Sequence, residues 1–111
     1  MQRLTASMEQ AHAYRDGELK LEQLAQSLAM TLHELSQLIN ESHGVNFQEY
    51  LNRYRVEDLK RSLRDPANSG TSILDLALAA GFNSKSALNR AFKRQTGMTP
   101  SEYRTTPPPA V

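Results

Sequence analysis

Basic and amide side chains are concentrated between positions 83 and 94 of the 111-residue sequence. This segment contains four positive residues and no acid. Its apolar residues recur with the spacing of one helix face, so its polar residues form the opposite, outer face. That outer face consists of Lys85, Ser86, Asn89, Arg90, Lys93 and Arg94. Guanidinium and ammonium groups donate to guanine and to phosphate, and an asparagine amide can pair with adenine. The chemistry therefore favours a helix that binds in the major groove of DNA.

Turn signals on either side of the basic helix predict its neighbours. Gly81 follows an apolar segment, at a position where a chain leaving a helix adopts a left-handed conformation. Ser84 can cap the basic helix. Thr99 and Glu102 form a capping box for a further helix, with Pro100 at its first position. This part of the sequence therefore predicts a helix, a tight turn, the basic helix, a short turn and a last helix.

Length and composition limit the possible folds and sites. A chain of 111 residues forms one domain or two very small ones that share a core. The absence of cysteine excludes disulfides and thiolate metal sites, and it is typical of a reducing cytoplasm. The start of the sequence has no apolar run, so neither a signal peptide nor a membrane-spanning helix is expected.

The net charge of +1 is unevenly distributed along the sequence. Residues 1–50 carry three Lys and Arg against seven Asp and Glu, a net −4. Residues 51–111 carry ten against five, a net +5. Such asymmetry predicts a polyanionic partner that is bound mainly by the second half of the chain.

Apolar spacing predicts a first helix that ends near Gly17 and a second helix over about Leu21–Leu28. The apolar face of the first helix is formed by Leu4, Met8, Ala11 and Tyr14. Thr31 and Glu34 then form a capping box that opens a third helix, and Gly44 ends it.

A long fourth helix is predicted from about Asn46 to Arg64. Asn46 and Glu49 have the spacing of another capping box. The expected core positions of this helix are Phe47, Tyr50, Leu51, Tyr54, Leu59 and Leu63. At 1.5 Å per residue the helix would span roughly 28 Å. The Pro- and Gly-containing segment after it predicts a loop.

The sequence repeats itself with an offset of 52 residues that becomes 53 after one extra residue in the second turn. The matches are Leu24-Ala25 with Leu76-Ala77, Ala29-Met30 with Gly81-Phe82, Leu35 with Leu88, Ile39 with Phe92, Gly44 with Gly97, Glu49 with Glu102 and Tyr50 with Tyr103. The repeat predicts two helix-turn-helix units joined by the long helix. Two such units on a rigid spacer can present helices to adjacent turns of one duplex, about 34 Å apart.

The predicted architecture is all-α, with about seven helices in four parts. Residues 1–45 form the first helix-turn-helix subdomain with an N-terminal helix, and residues 46–64 form the linker helix. Residues 65–104 form the second helix-turn-helix subdomain. Residues 105–111, TTPPPAV, have nothing to pack against and are expected to be a disordered tail.

The second unit, DLALAAGFNSKSALNRAFKRQTGMTPSEYR, resembles the DNA-binding domain of the AraC/XylS family of bacterial transcription regulators. It follows the family pattern of Ala, Gly-Phe, Ser, an Arg, Phe-Lys, Gly, Thr-Pro and Tyr-Arg. The first unit matches the family's looser first half, and the resemblance covers about Leu19–Arg104. It implies an all-helical, sequence-specific DNA-binding domain whose two recognition helices dock in successive major grooves of one duplex.

The resemblance also implies two sets of DNA-binding residues. In the first recognition helix they are Thr31, His33, Ser36, Gln37 and Asn40. In the second they are Ser84, Lys85, Ser86, Asn89, Arg90, Lys93 and Arg94. Of these, Lys93 and Arg94 are expected nearer the phosphates, and the preceding residues nearer the bases.

The chain departs from the family pattern in ways that affect this expectation. Ala87 and Leu88 stand where the family usually has two aromatics, and Leu59 replaces a small residue of the linker helix. The first recognition helix has no Lys or Arg, whereas family members often have an Arg near Gln37 and a Lys near Asn40. We therefore expect the second unit to supply most of the DNA affinity.

The partners that follow from the resemblance are double-stranded DNA, RNA polymerase, and an effector or sensor domain that is missing from this chain. The chain would then be an excised C-terminal domain or a small stand-alone regulator. We expect it in the cytoplasm, at the nucleoid, without membrane contact. No cofactor, metal site or enzyme activity is predicted, because the sequence has no phosphate-binding loop, activated nucleophile or cluster of metal ligands.

Several alternatives stay open at the level of sequence. In one, only the second unit contacts DNA, and the acidic first half binds polymerase or a partner subunit. Arg53 and Arg55 of the linker helix either pair with nearby acids or contact phosphate. His33 is either a DNA contact or a surface residue. The same two roles are open for Arg104. Glu34 is either a capping residue or an acceptor for cytosine.

Overall fold

The computed structural model describes residues 2–106, which form seven α-helices and no β-strand. The helices are α1 (Gln2–Glu9), α2 (Leu21–Ser27), α3 (Leu32–His43), α4 (Phe47–Arg64), α5 (Ile73–Ala80), α6 (Lys85–Thr96) and α7 (Pro100–Thr105). Short 3₁₀ turns occur at Ala13–Arg15 and Pro66–Asn68. The predicted all-α class and the helix number are confirmed.

The first helix is shorter than predicted. It ends at Glu9, and His12 adopts a left-handed backbone conformation with φ 54° before the 3₁₀ turn. The redirected chain leaves Ala11 exposed but buries Tyr14, whose hydroxyl donates to the Asp58 carboxylate at 2.7 Å. The prediction that the first helix continues to Gly17 is therefore wrong. Tyr14 is apolar at a helical spacing because it packs against α4, and it does not lie on the same helix face as Leu4 and Met8.

Most of the predicted helix starts have the expected caps. The Thr31 hydroxyl accepts from the Glu34 N–H at 3.1 Å, and the Glu34 carboxylate accepts from the Thr31 N–H at 2.9 Å. Thr99 and Glu102 form the same reciprocal pair at the start of α7, and Ser84 caps α6. These capping predictions are confirmed, and they assign Glu34 a structural role.

Only one of the two hydrogen bonds of the capping box predicted at the start of α4 is present. The Asn46 side chain accepts from the Glu49 N–H at 2.8 Å, as expected for a cap. The Glu49 carboxylate does not return the bond. It pairs instead with Arg94 at 3.3 Å, so this ion pair connects α4 with α6.

Two apolar clusters lie along α4, one at each end. The first cluster contains Leu4, Met8, Tyr14, Leu24, Ala25, Leu28, Leu35, Ile39, Val45, Tyr50 and Leu51. The second contains Val56, Leu59, Leu63, Leu76, Ala77, Ala80, Phe82, Leu88 and Phe92. Because α4 contributes to both clusters, this helix of about 27 Å is the shared support of the two helix-turn-helix units.

The predicted core positions of α4 are largely buried, but two charged residues join them. Phe47 and Tyr54 are only half-buried, whereas the other four predicted positions are buried. Arg55 is 4% exposed and Asp58 is 7% exposed. Both therefore need polar partners inside the fold.

The partners of Arg55 are backbone carbonyls. Its Nε donates to the Tyr14 carbonyl at 2.7 Å and its Nη2 to the Asp16 carbonyl at 3.0 Å. Burial lowers the pKa of Arg55, and the nearby Asp16 carboxylate opposes that shift. Within residues 2–106 Arg55 thus has carbonyl partners and no ion pair, contrary to the first of the two roles considered for it.

Segment 14–17 also contacts α4 and the second unit through side chains. Asp58 accepts from the Tyr14 hydroxyl and, at 2.8 Å, from Arg15 Nε. The Asn83 amide donates to the Gly17 carbonyl at 3.1 Å. We call residues 14–17 with Arg55, Asp58, Gly81 and Asn83 the junction. It connects the N-terminal segment to the turn of the second unit, so the two units are held together by more than α4.

The C-terminal helix packs back onto the second unit. Arg104 donates to the Asn68 carbonyl at 2.6 Å, and the Arg64 guanidinium lies 4.2 Å from the ring centre of Tyr103. Arg104 thus holds the loop after α4. Helix α7 runs to Thr105, one residue into the predicted tail, and residues 107–111 of that tail lie outside the described residues.

Candidate nucleic-acid interface

The two helix-turn-helix units have matching backbone geometry. Each turn is closed by the same 6→1 hydrogen bond, Met30 N–H to the Ala25 carbonyl at 2.9 Å and Phe82 N–H to the Ala77 carbonyl at 3.0 Å. The residue before each donor has a positive φ, 56° at Ala29 and 111° at Gly81. The repeat seen in the sequence therefore corresponds to a repeated turn in three dimensions.

The second helix of each unit also ends in the same way. Gly44 and Gly97 follow α3 and α6 with φ 69° and 78°, and each donates to the carbonyl four residues earlier at 2.8 Å. Both helices have 12 residues. Helices α3 and α6 are thus two equivalent candidates for groove binding.

Helix α3 buries Leu35 and Ile39 and turns its polar residues to solvent. The five residues predicted for DNA contact on it are all exposed: Thr31, His33, Ser36, Gln37 and Asn40. The Thr31 oxygen accepts one hydrogen bond in the cap, so its hydroxyl hydrogen and its second lone pair are left for a ligand. Gln37 Nε2 donates one N–H to Glu41 at 2.9 Å. Its amide oxygen and its second N–H are the groups that it can offer to adenine.

Helix α6 buries Leu88 and Phe92 and presents the basic face predicted from the sequence. All seven residues predicted for DNA contact on it are exposed: Ser84, Lys85, Ser86, Asn89, Arg90, Lys93 and Arg94. Within residues 2–106, Arg94 is the one member of this set in an ion pair, with Glu49. The Ser84 oxygen accepts from the Ala87 N–H at 3.1 Å, so its hydroxyl is tied to the cap in the same way as that of Thr31.

A polar groove separates α6 from the first half of α4. Arg53 of α4 lies in it together with Arg90 and Arg94 of α6. Small side chains, Ala87 and Ala91, also line it. The structure thus distinguishes the two linker arginines that the sequence left equivalent. Arg53 is exposed beside the basic face, and Arg55 is buried in the junction.

Two further properties of the described residues bear on function. In residues 2–106, no three His, Asp or Glu side chains lie close enough to hold a metal ion. None of the helices in that range combines the length and apolarity that crossing a bilayer requires.

Sequence reasoning missed the junction and the groove. Asp58 lies 43 residues from Arg15 and 44 from Tyr14, so no local spacing connects them. Arg53 has no distinguishing sequence signal, because its place in the groove depends on how α6 packs against α4.

Comparison with known proteins gives consistent matches to DNA-binding domains. Residues 24–106 match a family of helix-turn-helix domains. An uncharacterized HTH-type transcriptional regulator of Staphylococcus aureus is 37% identical over 87 residues, which cover 78% of this chain and 11% of that protein. A Streptomyces antibioticus protein described as an AraC-like transcription regulator is 36% identical over 87 residues, 78% of this chain and 28% of that protein. The chain thus spans a small part of the length of these relatives.

Solved structures show the same fold. The DNA-binding domain of AdpA, a global transcriptional factor crystallised with a target DNA, has a TM-score of 0.77 and 25% identity, covering 93% of this chain and 87% of that one. An AraC-type DNA-binding transcriptional regulator from Chromobacterium violaceum has a TM-score of 0.76 at 22% identity, covering 93% and 89%.

Proposed function

The chain belongs to the AraC-type helix-turn-helix family of transcription regulators, and we propose that it binds one DNA duplex with α3 and α6 in successive major grooves. The observation that supports this most is the duplicated turn geometry on a single helical support. The folded chain measures 42 × 26 × 25 Å. Its long dimension exceeds the roughly 34 Å between successive major grooves on one side of a duplex.

In this proposal α6 makes the stronger contacts. Arg90 and Lys85 donate to guanine, and Asn89 pairs with adenine, while Ser84 and Ser86 contact bases or phosphates. Lys93 and Arg94, in the last turns of the helix, neutralise phosphates. Each neutralised phosphate releases counterions, so this helix accounts for most of the salt dependence of binding.

Helix α3 contributes base contacts with little charge. Its exposed face has amides, hydroxyls and one histidine, and no Lys or Arg. Gln37 and Asn40 are suited to adenine, and His33 with the hydroxyls of Thr31 and Ser36 supplies further donors or acceptors. We infer that α3 adds sequence selectivity and α6 adds most of the affinity.

The complete regulator has further parts in this proposal. Because the chain spans 11% and 28% of the two relatives' lengths, the remainder of such a protein has room for an effector or sensor domain. RNA polymerase would be the partner through which the bound regulator acts, with the complex located at the nucleoid in the cytoplasm.

The experiment that tests the proposed function is selection of bound sequences from a random duplex library with this chain alone, at near-physiological salt. We expect two base clusters about one helical turn apart. Gln37→Ala and His33→Ala should erase one cluster, and Arg90→Ala should erase the other.

Other outcomes of the selection contradict the proposal in different ways. A single cluster that survives changes in α3 means that only the second unit reads DNA. No enrichment means that the chain alone does not bind specific DNA. An independent comparison tests the division between the helices. Neutralising Arg90 and Lys93 together should weaken binding more than replacing His33 and Gln37.

A further inference from the structure

We propose that the groove between α4 and α6 holds a phosphate of the DNA backbone, with Arg53 of the linker helix as a direct DNA contact. The groove brings the Arg53 side chain of α4 together with Arg90 and Arg94 of α6. All three residues are exposed. The proposal rests on the proposed function, because α6 must lie in a major groove for the backbone to reach Arg53.

The charges of the groove favour an anion. Its lining contains one carboxylate, that of Glu49, and four guanidinium groups, those of Arg53, Arg55, Arg90 and Arg94. The Arg55 guanidinium already donates to two backbone carbonyls. The Glu49 carboxylate pairs with Arg94 at 3.3 Å, and within residues 2–106 neither Arg53 nor Arg90 has an ion-pair partner. Guanidinium groups present parallel N–H donors that match phosphate oxygens in geometry and charge.

The shape of the groove also favours a ligand that enters from the DNA side. Ala87 and Ala91 lie one turn apart on α6 and line the groove. Their short side chains leave the space open between the longer polar residues. A backbone strand can therefore lie along α6 while the base-facing residues of that helix are in the major groove.

The position of Arg53 explains which phosphate it meets. Helix α4 connects the two units, and Arg53 lies in its first half, where Tyr50 and Leu51 belong to the first apolar cluster. The phosphate that it contacts then belongs to the backbone between the two major grooves. Such a contact fixes the register of the two units on the duplex and carries no sequence information of its own.

Glu49 limits this site in the free protein. Its carboxylate forms an ion pair with Arg94, whose side chain stays 76% exposed. A phosphate that binds in the groove competes with Glu49 for that guanidinium and is repelled by the carboxylate. Removing the charge of Glu49 should therefore strengthen DNA binding.

The test compares Arg53→Gln with Arg61→Gln in a salt titration of binding to the selected duplex. Arg61 is also an exposed arginine of α4, but it lies outside the groove. We expect Arg53→Gln to weaken binding on the order of tenfold at physiological salt and to reduce the slope of log K against log salt by about 1, with base preference unchanged. Arg61→Gln should leave the slope as in the unsubstituted chain. Glu49→Gln should raise the affinity several-fold.

Each remaining outcome refutes a specific statement. Equal salt slopes for Arg53→Gln and Arg61→Gln overturn the phosphate site while the proposed function stands. A changed base preference in Arg53→Gln shows a base contact and also overturns it. Failure of the unsubstituted chain to bind any selected duplex refutes the proposed function, and this inference with it.

Discussion

Replacing Gly81 by alanine tests the junction most severely. Gly81 is buried at φ 111°, in the turn of the second unit. A Cβ at this position would overlap the Tyr14 carbonyl oxygen and would lie 2.7 Å from Arg55 Nε. These two atoms form the 2.7 Å hydrogen bond that satisfies the buried arginine. The added methyl group must therefore either break that bond or separate the turn from segment 14–17.

The size of the effect follows from two contributions. A non-glycine residue in the left-handed region costs about 1–2 kcal/mol. Losing a buried hydrogen bond to a charged group costs about 1.5–3 kcal/mol more. We therefore expect Gly81→Ala to lower the free energy of unfolding by about 2.5–5 kcal/mol, out of a total on the order of 5–15 kcal/mol for a domain.

Gly97→Ala is the matched control. Gly97 has φ 78°, but no atom lies within 4 Å of the added Cβ, so only the backbone cost applies. Urea unfolding followed by far-UV circular dichroism should show that Gly81→Ala loses about 1.5–3 kcal/mol more than Gly97→Ala. Equal losses within about 0.5 kcal/mol would refute the close contact between the turn and segment 14–17.

Three further predictions concern stability. Ala29 has a left-handed φ of 56°, so Ala29→Gly should raise the urea midpoint and stabilise the fold by about 0.5–1 kcal/mol, and a lowered midpoint would contradict it. Asp58→Ala leaves the buried Tyr14 hydroxyl without its acceptor and should cost about 1–3 kcal/mol in the same assay. The added cost should shrink in a Tyr14→Phe background, and an undiminished cost would argue against the bond. The pKa values of Glu34 and Glu102 are lowered, first by the threonine N–H donors of their capping boxes. Their contribution is therefore complete above the unfolded-state pKa of roughly 4.3, and it is lost as the pH falls through the lower folded-state value. Replacing both by Gln should thus destabilise the protein at pH 6 but make little difference near pH 3, and a pH-independent difference would contradict the assignment.

Local signals in the sequence predicted the helices and their order well. Caps such as Thr31 with Glu34 depend on residues three positions apart, and the turn at Gly81 depends on one residue's backbone freedom. The offset repeat extended these signals from the second unit to the weaker first unit. Each of these features is determined within a few residues, so it is visible without the fold.

Features that depend on packing were not predictable in the same way. Tyr14 fits the apolar spacing of the first helix, yet α1 ends five residues before it, at Glu9. Tyr14 is buried because it packs against α4. Arg53 and Arg55 are two residues apart and have the same side chain, yet one is exposed in the groove and the other is buried. Their difference follows from which side of α4 meets α6 and segment 14–17, and no single-sequence pattern contains that information.

The central claim, that two units on one rigid support read one duplex, is tested most directly by changing the spacing of the selected site. Inserting five base pairs between its two clusters rotates one cluster by about half a helical turn. Because α4 and the junction fix the two units, they can then no longer dock together. We predict that the affinity falls by roughly tenfold or more, to that of a duplex with a single cluster. An affinity unchanged by the insertion would contradict the claim and would assign DNA binding to one unit alone.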